Sequence, residues 1–308
     1  MLNEIQQRIL REVADMVNMP SGAVNIRSDG QKLFRQNTEN IEIVSKTDRD
    51  GIDIRIKPFT KAESVHIPVV LTESGFKDRV YNDFFVGEGA DVTIVAGCGI
   101  HNCGGCGDSQ HEGVHTFYVG KNAKVRYIEK HYGEGDGLGK RILNPETVLY
   151  LEEGASVTLE TSQIRGVDDT KRYTRAELKG ENSEITITEK LLTHGDQKAV
   201  SEMDVFLDGA GSRTQVISRS VAQDNSSQIF YPRVTGNCDC FGHVQCDAII
   251  MDKAKVLAVP ELEANNIDAA LIHEAAIGKI AGEQILKLMT LGLSYAEAEQ
   301  RILDGFLR

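Results

Sequence analysis

Residues 154–159, Gly-Ala-Ser-Val-Thr-Leu, decide the fold. A turn residue and a small residue lead into a strand whose apolar positions, Val157 and Leu159, alternate with polar ones. The same unit recurs as Gly89-Ala90-Asp91-Val92-Thr93-Ile94, Ala123-Lys124-Val125-Arg126-Tyr127, Ser183-Glu184-Ile185-Thr186-Ile187 and Ser212-Arg213-Thr214-Gln215-Val216. The small residues stand at 90, 123, 155, 183 and 212, so the spacings are 33, 32, 28 and 29. Strand-bearing repeats of about 20–50 residues point to a solenoid. No helical periodicity lies between them, which excludes crossover helices. The chain either coils as a parallel β-helix or folds as an antiparallel β-sandwich, and spacing alone does not separate the two.

Outward from the repeats, Leu2, Ile5, Ile9, Val13, Met16 and Val17 share one helical face, predicting a helix over 2–18 that ends at Pro20 and Ser21-Gly22. Short alternating runs follow, Ile41/Ile43 and Ile52/Ile54/Ile56, with a turn at Arg49-Asp50-Gly51. Toward the other end, a helix is expected over 268–290, burying Ala269, Ile272, Ala276, Ile280, Ile285, Leu288 and Met289. Gly292 terminates it. Ser294-Tyr295-Ala296-Glu297 is a capping box for a second helix that uses Ala298, Ile302, Leu303 and Phe306. These helices either dock a partner or cap the solenoid's open end. The expected organisation is 1–84, a helix and short strands; 85–263, the β core; and 264–308, a helical domain.

The 308 residues are 41% hydrophobic, enough for a sizeable core. Lys+Arg 34 against Asp+Glu 46 gives −12, and the basic residues do not cluster, which argues against nucleic acid as a partner. No apolar run approaches the roughly 20 residues of a membrane span, and the N-terminal segment lacks the apolar stretch of a signal peptide. The chain is therefore read as cytosolic, where six cysteines are free thiols or metal ligands rather than disulfides. There is no P-loop, dinucleotide-binding glycine motif or Gly-x-Ser-x-Gly elbow.

Three places could carry chemistry. Cys98, His101, Cys103, Cys106, His111 and His115 put six thiols and imidazoles into 18 residues, with a Cys-x4-Cys-x2-Cys spacing that would suit iron–sulfur or Zn ligation. The competing reading is a flexible glycine-rich loop. Cys238, Cys240 and Cys246 form the second place, and Cys246 shares a strand face with Val244 and Ala248. The alternative for Cys246 is an inert buried thiol. The third is His273-Glu274, read as a helix start and otherwise a solvated first turn. His131 is expected in an exposed turn, and Lys171, Arg172 and Arg175 on a solvated edge.

Cys246-Asp247-Ala248, then Val259-Pro260-Glu261-Leu262-Glu263, then His273-Glu274-Ala275-Ala276-Ile277-Gly278-Lys279-Ile280 and Gly292-Leu293-Ser294 carry a family likeness. Over about residues 85–308 the chain resembles the SufB/SufD family, the scaffold subunits of the SUF iron–sulfur cluster assembly system. The resemblance implies a mainly β fold: a right-handed parallel β-helix with a short N-terminal helix and a C-terminal two-helix domain. It implies a scaffold rather than an enzyme, holding a transient iron–sulfur cluster or sulfur at a dimer interface. Cys246 and Glu274 match SufB residues used there, and His273 matches the SufD histidine. Both types in one chain imply a homodimer. The implied partners are a SufC-type ABC ATPase on the helical domain, a cysteine desulfurase or other sulfur donor, and apo recipient proteins. The Cys98–Cys106 cluster is not a family feature; it would hold Zn or Fe. Two other classes compete. One is a structural Zn-binding solenoid. The other is a β-helix lyase for acidic polysaccharide, which the acidic charge disfavours.

Overall fold

The computed structural model describes residues 2–308. Helix α1 (Glu4–Ala14) is capped by Asn3, whose side chain accepts from the Gln6 N–H while Gln6 reaches back to the Asn3 N–H. Asp15, at φ 52°, turns the chain out of the helix earlier than the 2–18 periodicity predicted. Four short strands follow: β1 (Ala23–Ser28), β2 (Gln31–Gln36), β3 (Ile41–Ser45) and β4 (Gly51–Ile56). Next come β5 (Lys61–Leu71), β6 (Lys77–Val86), β7 (Asp91–His101), β8 (Ser109–Val119) and β9 (Lys124–Glu134). Strands β10 (Arg141–Leu143) and β11 (Glu146–Leu151) share one level of the stack. Pro145, which has no N–H to give to a ladder, separates them.

The series continues through β12 (Ser156–Arg165), β13 (Asp169–Leu178), β14 (Glu184–Thr193), β15 (Lys198–Leu207), β16 (Ser212–Ala222), β17 (Ser227–Gly236) and β18 (Cys240–Ile250). Pro260 again splits a level into β19 (Lys255–Ala258) and β20 (Glu261–Ala264). Strand β21 (Ala269–Gly278) and helices α2 (Gly282–Thr290) and α3 (Tyr295–Phe306) finish the chain.

The strands form two sheets. One runs β2-β1-β5-β7-β9-β12-β14-β16-β18-β21, the other β19-β17-β15-β13-β10-β8-β6-β4-β3, with β11 and β20 alongside. From β5 onward the chain alternates between the sheets. Each strand pairs in parallel with the one a coil earlier, giving a β-solenoid of about eight turns. Parallel pairing excludes the antiparallel sandwich. The register reproduces the repeat: Asp91↔Lys124, Lys124↔Ser156, Ser156↔Glu184 and Glu184↔Arg213 are offset by 33, 32, 28 and 29 residues. Ala90, Ala123, Ala155, Ser183 and Ser212 are fully buried at the stacked corners. Before each stands a Gly or Asn at positive φ: Gly89, Asn122, Gly154, Asn182 and Gly211. These are the residue types that reach the left-handed region at least cost, so the corner, not the strand, sets the repeat.

Two expectations are corrected. The solenoid begins upstream of residue 85, because β5 and β6 already pair in parallel with β7 and β8, and β1 pairs with β5. Residues 269–278 are a strand, not the first part of a helix. The segment reads with period 2 (Ala269, Leu271, Ala275, Ile277) as well as with helical period, and the free edge of β18 supplies ladder partners from Cys240↔Ala269 to Ile249↔Gly278. Helix α2 starts only at Gly282.

The interior divides lengthwise into two stripes. Within the stack, one sheet points its strand beginnings, and the other its strand ends, at an apolar stripe. Val92, Val125, Val157 and Ile185 meet Phe117, Leu149, Leu178 and Leu207 there. The opposite halves meet in a stripe of buried polar groups: Glu129, His131, Thr161, Gln163, Glu189 and Ser218 face His111, His115, Thr170, Arg172 and Ser201.

Candidate functional site

Strand parity builds the polar stripe. Along one sheet, the ladder Glu129–Thr161–Glu189–Ser218–Cys246 places one inward side chain per coil. Two residues further along the strands runs Cys98–His131–Gln163. Cys98 and Cys246 thus belong to one stripe, several coils apart. Buried polar groups are expensive unless paired, at about 1–3 kcal/mol for each unsatisfied group, and most here are paired.

At the centre, Arg172 is 4% exposed. It donates from Nη1 to Glu129 Oε2 at 2.5 Å, its Nη2 lies 3.2 Å from His131 Nδ1, and its Nε lies 3.5 Å from Glu189 Oε1. Burial opposes the charge of Glu129, but Arg172 and His131 outweigh it and hold the carboxyl well below its usual range. Glu189 is pushed up by burial, which Arg172, Ser201 and Ser218 only partly offset. Two carboxyls share one guanidinium, and the geometry favours the charge on Glu129.

Nearer the first coils, Cys98, His111, His115, Glu129 and His131 line a cavity of about 10 Å³, close to the size of one water. His111 Nδ1 lies 3.3 Å from Asp78, which Arg27 also grips. His115 contacts the Tyr127 hydroxyl (2.5 Å) and Asn82 (3.2 Å), and burial drives its pKa down to about 4. Burial pushes the Cys98 thiol well up, with Asp78 and Glu129 adding to it.

The structure therefore divides the six ligands expected to act together. Cys98, His111 and His115 face inward, and His101 is tied to Glu134 at 2.9 Å. Cys103 and Cys106 sit exposed on the loop between β7 and β8. Alternation within β7 and β8 turns the inward residues away from that loop. Among the described residues, no three or more His, Cys, Asp or Glu side chains stand together as a metal-binding group.

Cys240 packs in the apolar stripe, and Cys238 donates to the carbonyls of Leu207 and Gly209. Six residues of strand separate Cys240 from Cys246, roughly 20 Å at about 3.3 Å per residue, so they do not form one site. Cys246 is 3% exposed, and its thiol is pushed up to about 12 by burial, then by Asp247 and Glu189. Next to it runs β21, the last strand. Val244↔His273, Gln245↔Glu274 and Cys246↔Ala275 are the local pairs.

His273 and Glu274 open no helix. As strand neighbours they point to opposite faces. His273 faces inward in the row that continues Val216 and Val244, next to the row of Cys246; its Nε2 is buried with no hydrogen-bond partner among the described residues, and its pKa is lowered by burial and by His243. Glu274 faces outward, 3.6 Å from His243 Nε2. Among the described residues no strand pairs with the outer edge of β21, and Ile272, Ile277, Leu257 and Ile267 are exposed around this end.

His131 and Arg172, expected in an exposed turn and on a solvated edge, are buried members of the stripe. Their parity was the available signal: Val125, Tyr127, Glu129 and His131 alternate inward, as do Thr170, Arg172, Thr174 and Ala176.

A two-sheet parallel solenoid with an internal thiol beside an open final coil defines the class, and comparison with known proteins supplies the family. The family model described as SUF system FeS cluster assembly, SufBD core domain, matches residues 81–306, and the chain belongs to that family. An iron–sulfur cluster assembly SufBD family protein of Archaeoglobus fulgidus is 30% identical over 284 residues, covering 90% of this chain and 73% of that protein. One from Methanothermobacter thermautotrophicus strain Winter is 29% identical over 241 residues, 77% of this chain and 57% of the relative. One from Methanocaldococcus jannaschii is 24% identical over 276 residues, 88% and 86%. The chain thus spans less than two thirds of the length of some relatives and most of the length of others. Family membership implies a role in iron–sulfur cluster assembly.

Proposed function

We propose that the protein is an assembly scaffold, not an enzyme, on which an iron–sulfur cluster forms as cargo at the open end of the solenoid. The observation that carries this is the position of Cys246. It is the last thiol of the polar stripe, one strand from an uncovered edge, with His273 facing inward on that edge strand. Thiolate suits iron and sulfide, and imidazole and carboxylate are harder ligands that release iron more readily. In one chain Glu274 points away from Cys246, so a second copy laid against β21 would have to complete the ligand set. An edge strand with exposed Ile272 and Ile277 is the kind of surface that is covered in use.

Helices α2 and α3 bury Ile285, Ala298 and Leu303 between them and leave Leu286, Met289, Leu291 and Tyr295 exposed. That apolar surface supports docking of a SufC-type ABC ATPase. Its cycle would open and shut the dimer end and so expose Cys246, whose own geometry keeps the thiol protonated.

The test is anaerobic reconstitution with ferrous iron and sulfide, with iron and acid-labile sulfide counted per chain. Wild type should retain both, and Cys246→Ser should lose most of both. Retention by Cys246→Ser would refute the site. A purely monomeric species in the loaded state would refute the shared ligand set.

A further inference from the structure

The two thiols that the fold leaves outside, Cys103 and Cys106, are not accounted for by the cluster site. They flank Gly104-Gly105 in the loop between β7 and β8, and both are exposed. The loop is clamped. Ser74 Oγ donates to the Cys103 carbonyl at 2.9 Å, the Leu138 N–H to the Gly105 carbonyl at 3.0 Å, and Asn102 Nδ2 to the Gly107 carbonyl at 3.1 Å. Asn102 is itself buried and also donates to the Gly139 carbonyl at 2.9 Å. A Cβ on Gly105 would come 2.6 Å from Ser74, and one on Gly107 would come 2.9 Å from Gly75, so the preceding coil packs tightly on one side of the loop, with Leu138 and Gly139 of the following coil on the other. Gly104, at φ +69°, makes the bend between the thiols. Three pinned carbonyls around a two-glycine bend keep the thiols on one short arc while leaving both in solvent.

Resting on the assembly role proposed above, we infer that Cys103 and Cys106 form a redox dithiol that converts sulfane sulfur to sulfide. Cluster sulfur is sulfide, whereas sulfur carried on a donor thiol as a persulfide is two electrons more oxidised. The Cys103 thiolate attacks the outer sulfur of the donor persulfide. The bond between the donor's two sulfurs breaks, the donor leaves as a thiol, and Cys103 becomes a persulfide. The Cys106 thiolate then attacks Cys103 Sγ, forming the Cys103–Cys106 disulfide and expelling hydrosulfide. Overall, one persulfide and two thiols give one thiol, one disulfide and one hydrogen sulfide. The dithiol supplies both electrons, and a thiol reductant restores it.

The test uses glutathione persulfide, one equivalent per reduced full-length protein, without oxygen and against a protein-free control. Wild type should release about one sulfide above the control and lose 2 Da. Cys106→Ser should gain 32 Da at Cys103, with sulfide release down at least tenfold. The inference is overturned if wild type keeps the added sulfur without forming the disulfide. It is also overturned if the Cys103→Ser/Cys106→Ser protein releases sulfide as wild type does. Reconstitution with iron and free sulfide bypasses this step, so the double variant should load like wild type. Failure to load would make the pair a ligand site and reject the redox role. Loading by Cys246→Ser would instead reject the cluster site and leave the persulfide result standing.

Discussion

Replacing Arg172 with methionine tests whether the polar stripe is an electrostatic unit. Arg172 is 4% exposed and its guanidinium lies directly against both Glu129 and Glu189, which are buried. Methionine fills a similar space and leaves two inward carboxyls of one sheet, two strands apart with Thr161 between them, without a counter-charge. Removing one partner of a buried ion pair costs about 3–5 kcal/mol, and the variant should lose that much at pH 7 in equilibrium urea unfolding followed by circular dichroism.

The pH dependence carries the sharper signature. In wild type the Glu129 carboxyl is held below its unfolded value, so its contribution is present above about pH 4.5 and fades as pH falls. In the variant both carboxyls lie above their unfolded values. Their folded forms then bind more protons, and stability falls as pH rises past about 4.5. The gap between the two proteins should widen with pH above about 4.5 by up to about 1.4 kcal/mol per unit through Glu129, and through Glu189 only above the raised value it already has in wild type. Adding Glu129→Gln and Glu189→Gln to Arg172→Met should recover much of the loss and flatten its pH dependence. A loss below about 1 kcal/mol, or one equal at pH 5 and pH 8, would refute the reasoning.

Other outcomes follow from the same geometry. His115 stays neutral in the fold down to about pH 4 but protonates near 6.5 when unfolded, so wild-type stability should fall between those values by up to about 3 kcal/mol. His115→Phe should remove that part of the pH dependence in urea titrations. With its thiol pushed up to about 12, Cys246 should react with iodoacetamide at pH 8 roughly a thousandfold slower than a free cysteine peptide. Peptide mapping should find Cys103 and Cys106 labelled first. A Cβ at Gly97 would lie 2.5 Å from the Val13 carbonyl and 2.8 Å from that of Lys130. Gly97→Val should therefore push α1 off its sheet, and trypsin should cut at Arg8 and Arg11 at least tenfold faster.

Much of the fold was legible because its period is written in corner residues. A small residue after a left-handed Gly or Asn every 28 to 33 positions is a local requirement, and the ladder register repeats those numbers. Strand parity could also have placed Glu129, His131 and Arg172 inside, but residue type argued for solvent. Burial became affordable only because the two sheets bring their charges together from 43 residues apart.

Residues 269–278 carried two periodicities, and the sequence alone could not choose between them. The free edge of β18 chose the strand, because ladder hydrogen bonds to a ready partner outweigh intrinsic helix preference. That choice set His273 inward and Glu274 outward. The cysteines show the same division. Their spacing suggested one cluster, but a spacing counts residues along the chain and says nothing of which wall they line. Tertiary structure put Cys98 and Cys246 in one buried stripe several coils apart, and left Cys103 and Cys106 in solvent, because strands alternate their faces and the connecting loop does not.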